Sequence, residues 1–191
     1  MSDNPLLSLG DSYEVLINKL KTQLAGIYPQ QLVARNTVLL PQGDVQRYGY
    51  LIMEGVLGAI HDDIDGGQKC KEFYFKNEFA LLFANWMTST PAFYQLKVIN
   101  EANVIKVPLT LFEQAQYQLI KQQLIAQQLI FKEAKEAFLL LNNPEERYLH
   151  LCQHSPQWIN NLNNIQLAAY IGISPISLSR IKARMKTRLL T

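Results

Sequence analysis

Apolar and polar positions follow three different rules along this chain. Between Tyr13 and Leu24, Val15, Leu16, Ile17 and Leu20 recur with helical spacing while Lys19 and Lys21 fall outside that stripe, which predicts a short amphipathic helix. From Val33 to Val107 the pattern shortens to runs rich in β-branched and aromatic residues: "NTVLL", "YGYLIM", "VLGAIH", "KEFYF", "YQLKVI" and "VIKV". Turn signals at Pro41–Asp44, Glu54-Gly55, Asp62–Gln68 and Asn100 separate them. Short strands at this spacing predict an antiparallel barrel or sandwich, with Asp65–Gly67 as a hairpin tip. From Leu109 to Leu141 neither glycine nor proline occurs. Tyr117, Leu124, Phe131 and Phe138 recur every seven residues there, with Ile120, Gln127, Ala134 and Leu141 forming a second row.

Two such rows make a seam that asks for a partner. One helix over Leu109–Leu141 would be about 50 Å long at a rise of 1.5 Å per residue, more than a domain of this size can cover. The expectation is a homodimeric coiled coil through Tyr117, Ile120, Leu124, Gln127, Phe131, Ala134 and Phe138, Gln127 fixing the register. Packing of one face on the chain's own barrel is the alternative. Asn143-Pro144-Glu145-Glu146 then restarts a helix with a cap acceptor, an early proline and two acids near the positive helix end. The predicted divisions are a β domain over 1–108, a dimerisation helix over 109–142 and a separate C-terminal domain over 143–191.

The last division carries the clearest local grammar. "IQLAAYIG" places Ile165, Leu167, Ala168 and Ile171 on one face, and Gly172 suits a left-handed helix end. Ser174 is positioned to cap the next helix and Pro175 to begin it. Leu178, Ile181 and Met185 share that helix's buried face; Ile176, Ser177, Arg180 and Arg184 point away. This is a helix-turn-helix pattern, with Ala168 and Ala169 small enough for a close crossing. Arg180 has the fork that reads guanine O6 and N7. Ser174, Ser177, Lys182, Arg184, Lys186 and Arg188 are phosphate candidates.

Charge sharpens this picture. From Ile165 onward there are five basic residues and no acid, while the preceding 13 basic and 16 acidic residues leave that part at −3. A basic end on a mildly acidic body suits a nucleic-acid surface, although a solvated basic helix would share the charge. The 191 residues, 48% hydrophobic, support a sizeable core. No run of about 20 apolar residues is present to span a bilayer, and the start lacks a secretion-signal pattern. Two cysteines, Cys70 and Cys152, suggest reduced thiols in a cytoplasmic protein. Three histidines, of which His150 and His154 lie four apart, fall short of a metal centre, so neither metal nor cofactor is expected. Neither a Gly-rich phosphate loop nor a nucleophile elbow occurs, so the chain reads as a non-enzyme.

Taken together, "LPQGD…YGYLIMEGVLGAI", "NPEERYLHLC" and "LAAYIGISPISLSRI" resemble the Crp/Fnr family of transcription regulators over nearly the whole chain. That resemblance implies an α+β chain with an antiparallel jelly-roll (double-stranded β-helix) domain, a long dimerisation helix and a winged helix-turn-helix. It implies a palindromic DNA operator and RNA polymerase as partners, and it puts Pro175, Ile176 and Arg180 at base-reading positions. Arg147 falls at the family's arginine near the start of the DNA-binding domain. Ile176 departs from the frequent glutamate, so the operator is its own; isoleucine touches a thymine methyl but accepts no cytosine proton. The cyclic-nucleotide cassette is not kept. Phe75 and Glu78 of "FKNEF" match it, yet Asn77 replaces the glycine, and Ala92 and Phe93 stand at the arginine and serine positions. No arginine lies between Arg47 and Arg147 to grip a phosphate. An apolar or aromatic effector remains open, with Phe75, Glu78, Phe83, Trp86, Phe93 and Tyr94 as a candidate pocket or simply core. The rivals are a small-molecule-sensing module whose helical end contacts protein, and a metalloenzyme on the barrel.

Overall fold

The computed structural model describes residues 8–64 and 68–188. Helix α1 (Ser8–Leu24) includes the predicted amphipathic segment and buries Leu16, Ile17, Leu20 and Leu24. Six strands follow as one antiparallel sheet: β1 (Gln30–Val33), β2 (Val38–Leu40), β3 (Tyr48–Asp62), β4 (Gln68–Tyr74), β5 (Phe79–Ala80) and β6 (Gln95–Pro108). Strands run β1-β6-β3-β4 across the sheet, with β2 on β6 and β5 on β3. The short helix α2 (Phe83–Thr88) interrupts the β5–β6 connection. The expected hairpin tip at Asp65–Gly67 lies outside the described residues.

Two expected turns are instead bulges within long strands. "YGYLIM" and "VLGAIH" form the single 15-residue β3, and "YQLKVI" joins "VIKV" in the 14-residue β6. Their pairing slips register between Ile52 and Leu57, opposite Val98–Val104. Gly55 sits there at φ 90°, and a Cβ on it would meet the Glu101 carbonyl oxygen at 2.2 Å. Only glycine fits that backbone approach; the extra residues bend the strand without ending it. Period-2 alternation then sends side chains both ways. Tyr50, Ile52, Leu57, Ala59 and Val104 fill the interior, whereas Leu51, Ile105 and Val107 face outward under α1.

The long helix is shorter than the sequence suggested. Leu109–Glu113 and Ala115–Tyr117 are 3-10 turns, and α3 runs from Gln118 to Leu141, 24 residues or about 36 Å. Leu109, Leu111 and Phe112 are buried against α1 and the sheet, which the tight turns allow and a straight helix from Leu109 would not. Four seam residues, Tyr117, Ile120, Leu124 and Gln127, are likewise buried within their own chain. Tyr117, Ile120 and Leu124 share one apolar cluster with α1 and the outward-facing residues of the sheet.

Helices α4 (Pro144–His154), α5 (Pro156–Asn161), α6 (Asn164–Ile171) and α7 (Pro175–Arg188) complete the fold. They pack on the sheet through one apolar cluster: Val56, Phe73, Phe75 and Ile99 meet Tyr148, Leu151, Trp158 and Leu162. The implied wing is corrected here. Among the described residues no strand follows β6, and the 14 residues from Pro175 form one helix.

Candidate nucleic-acid interface and the adjoining cleft

Local chemistry builds the α6–α7 corner. The Asn163 side chain accepts from Gln166 N while Gln166 returns a bond to Asn163 N, starting α6 with a capping box. Gly172 at φ 74° ends it, and Ile173 N reaches back to the Ala168 carbonyl at 3.0 Å. Ser174 Oγ accepts from Ser177 N at 3.1 Å, so this serine does cap α7. Leu178 and Ile181 anchor α7 against Ala168 and Ile171, all buried.

The candidate DNA-binding residues divide in two. Ser174, Pro175, Ile176 and Arg180 are exposed, and among the described residues Arg180 has no hydrogen-bond or ion-pair partner. Ser177 is half-buried, its hydroxyl 2.9 Å from that of Ser174. Lys182 and Arg184 are engaged within the chain. Lys182 bonds the Asn164 side chain and lies 5.3 Å from the centre of the Tyr148 ring; Arg184 pairs with Glu145 at 3.2 Å. The exposed apolar Ile176, 66% accessible, stands one turn before Arg180. The side chain of Arg188 lies outside those described.

Arg147 has a specific structural task. Its guanidinium donates to the carbonyls of Leu139 (2.6 Å), Asn142 (2.9 Å) and Ile171 (2.8 Å). Those are the C-terminal ends of α3 and α6, where carbonyls lack helical donors and a cation is favoured.

The candidate effector residues do not converge. Phe75 packs on Trp158 at 5.0 Å, Trp86 on Phe112 at 5.5 Å, and Phe93 is exposed and stacked on His61 at 4.7 Å. Tyr94 lies beside Phe93. Only Glu78 and Phe83 of the six line a cavity of about 700 Å³ between the sheet, α3 and helices α4–α6. The other half of the expected seam, Phe131, Ala134, Phe138 and Leu141, lines it too.

Polar groups in this cleft are unusual. Glu78 keeps some accessible surface, but that surface faces the cleft, and burial pushes its carboxyl up to about 8. It accepts from Phe75 N at 3.2 Å, and among the described residues no cation pairs with it. Gln127 is 6% exposed, and among the described residues its Nε2 has no hydrogen-bond partner. Glu72, by contrast, is held by Lys132 at 3.1 Å and Lys135 at 3.7 Å. Lys135 also bonds the Lys71 carbonyl and lies 3.9 Å from the Tyr170 ring centre, and burial lowers its pKa. The sequence offered one signal for Glu78, its match to the cyclic-nucleotide cassette in "FKNEF", and none for Gln127 beyond its place in the seam.

Among the described residues no histidine, cysteine and carboxylate cluster could hold a metal, and no helix is long and apolar enough to cross a membrane. No protein-family model and no curated protein matches the sequence. Solved structures do. FixK2 from Bradyrhizobium japonicum is similar at a TM-score of 0.70 and 14% identity, over 84% of this chain and 85% of that one. A CRP-family transcriptional regulator from Thermus thermophilus gives 0.66 and 15%, over 83% and 85%. The c-di-GMP-responsive global regulator CLP of Xanthomonas campestris gives 0.64 and 15%, over 90% and 92%. The chain has the Crp/Fnr-like fold, an antiparallel β domain followed by a helical C-terminal part.

Proposed function

We propose that this protein is a sequence-specific DNA-binding transcription regulator that acts as a homodimer and catalyses no reaction. The observation that carries the reading is the capped α6–α7 corner, with Ile176 and Arg180 outward and Arg180 unpaired among the described residues. Fold-level similarity to CRP-family regulators supports it. In this reading α7 enters the major groove, Arg180 reads a guanine and Ile176 packs on a thymine methyl. Ser174 and Ser177, near the N-terminus of α7, meet phosphate, and Lys182 and Arg184 hold the corner together before touching DNA. Two copies read the halves of a palindromic operator about one helical turn apart. RNA polymerase is the expected partner on that DNA. A cyclic nucleotide is not the effector, since Ala92 and Phe93 offer no phosphate grip.

Selection of bound fragments from a random DNA pool tests the reading directly, with a symmetric site enriched. On that site Arg180→Ala should cost about 1–3 kcal/mol and relax one base position per half-site. Affinity should fall steeply with salt. Unchanged base discrimination in the variant would remove Arg180 from its role, and indifference to every oligonucleotide at low salt would remove the function.

A further inference from the structure

The cleft between the sheet and the helical domain is not a packing fault. Its volume of about 700 Å³ is that of a small-molecule site, and it lies outside the sheet's own interior, which Tyr50, Ile52, Leu57, Leu96 and Val104 fill. Among the described residues its wall holds an amide N–H without an acceptor, at Gln127, and a carboxyl without a cation, at Glu78. Buried polar groups left this way are costly unless something completes them.

We propose that this cleft binds an aromatic nitrogen base: a flat, mostly apolar molecule with a ring acceptor for Gln127 Nε2 and an amine opposite Glu78. The amine takes up the carboxyl's proton, so that the pair is charged only when the cleft is occupied. Walls from Tyr13, Phe131, Trp158 and Tyr170 offer flat apolar faces that suit an aromatic ring and attract a cation. Anions are disfavoured. The Glu72 carboxylate lines the cleft and no arginine does; its lysine, Lys135, is engaged by Glu72 and the Lys71 carbonyl. Its two histidines, His150 and His154, stand 4.5 Å apart between ring centres, where burial lowers the pKa of His150. A ligand here touches α1, β4, α3, α4 and α5 at once, so it fastens the helical domain to the sheet. Only the consequence of that for DNA rests on the function proposed above; the binding does not.

Three probes on one ring separate the contributions: 4-(aminomethyl)quinoline, quinoline-4-carboxamide and quinoline-4-carboxylate, each titrated calorimetrically into the full chain without DNA. The amine should bind about tenfold more tightly than the carboxylate. Glu78→Gln should abolish that preference and leave the carboxamide unchanged. Gln127→Leu should weaken all three and keep their order. Ala134→Phe, which fills the cleft from α3, should block all three, with circular dichroism confirming that each variant folds. Equal or tighter binding of the carboxylate, a charge preference that survives Glu78→Gln, binding retained by Ala134→Phe, or no binding of any probe at millimolar concentration overturns the proposal.

Discussion

A carboxyl that keeps its proton near neutrality makes the folded state less stable with every step up in pH, and Glu78 is in that position. Its ordinary value of 4.5 rises to about 8, chiefly through burial, with the charge of Glu72 adding to it and the bond from Phe75 N opposing it. Between those values the folded chain holds a proton that the unfolded chain has lost. Unfolding then releases a proton, so stability falls as pH rises from about 4.5 to 8. Glu78→Gln removes this contribution. Its melting temperature should match the wild type near pH 4.5 and exceed it increasingly towards pH 8. A gap that stays constant across that range would show that Glu78 is ionised in the folded protein.

Between elements, the same concern with unpaired groups explains how α3 and the helix-turn-helix are coupled. Arg147 satisfies carbonyls at the ends of α3 and α6 together, a geometry that its planar fork allows and a lysine amine does not. Arg147→Ala leaves three acceptors short of a donor and should lower unfolding free energy by about 2–4 kcal/mol. Arg147→Lys should recover less than half of that, as urea denaturation of the two variants will measure. The cap residues around this joint were legible in the sequence because capping is local: Asn143 with Glu146, then Gly172, Ser174 and Pro175, take the expected places. Gly55 and Asn100 carry equally local turn signals, yet they form bulges, because a register shift is decided by the partner strand. The heptad rows leave a related question open. Periodicity marks the buried face of α3 but does not say whether α1 or a second chain covers it.

For the whole molecule, that distinction bears on where two copies of the homodimer proposed above would meet. With Ile120 and Leu124 covered by their own chain, the face left to a second copy is the opposite one, some 200° around the helix. It carries Leu119, Gln122, Ala126, Leu129, Glu133, Glu136 and Leu140, again at spacings of three and four. Leu119, Leu129 and Leu140 are 56%, 61% and 74% exposed, more than a helix facing only water would choose. Glu133 and Glu136 interrupt the row, so the firmest contact falls in its first half, around Leu119, Ala126 and Leu129. Self-association through this face would set the separation of the two α7 helices, because α3 leads straight into the Arg147 joint. Leu129→Lys buries facing ammonium groups and should yield a monomer in sedimentation at micromolar concentration. Phe131→Lys falls on the cleft side, edge-on to Tyr13 at 5.3 Å, and should stay dimeric while melting at a lower temperature. The reverse pairing of outcomes would return the interface to the face that the sequence first indicated.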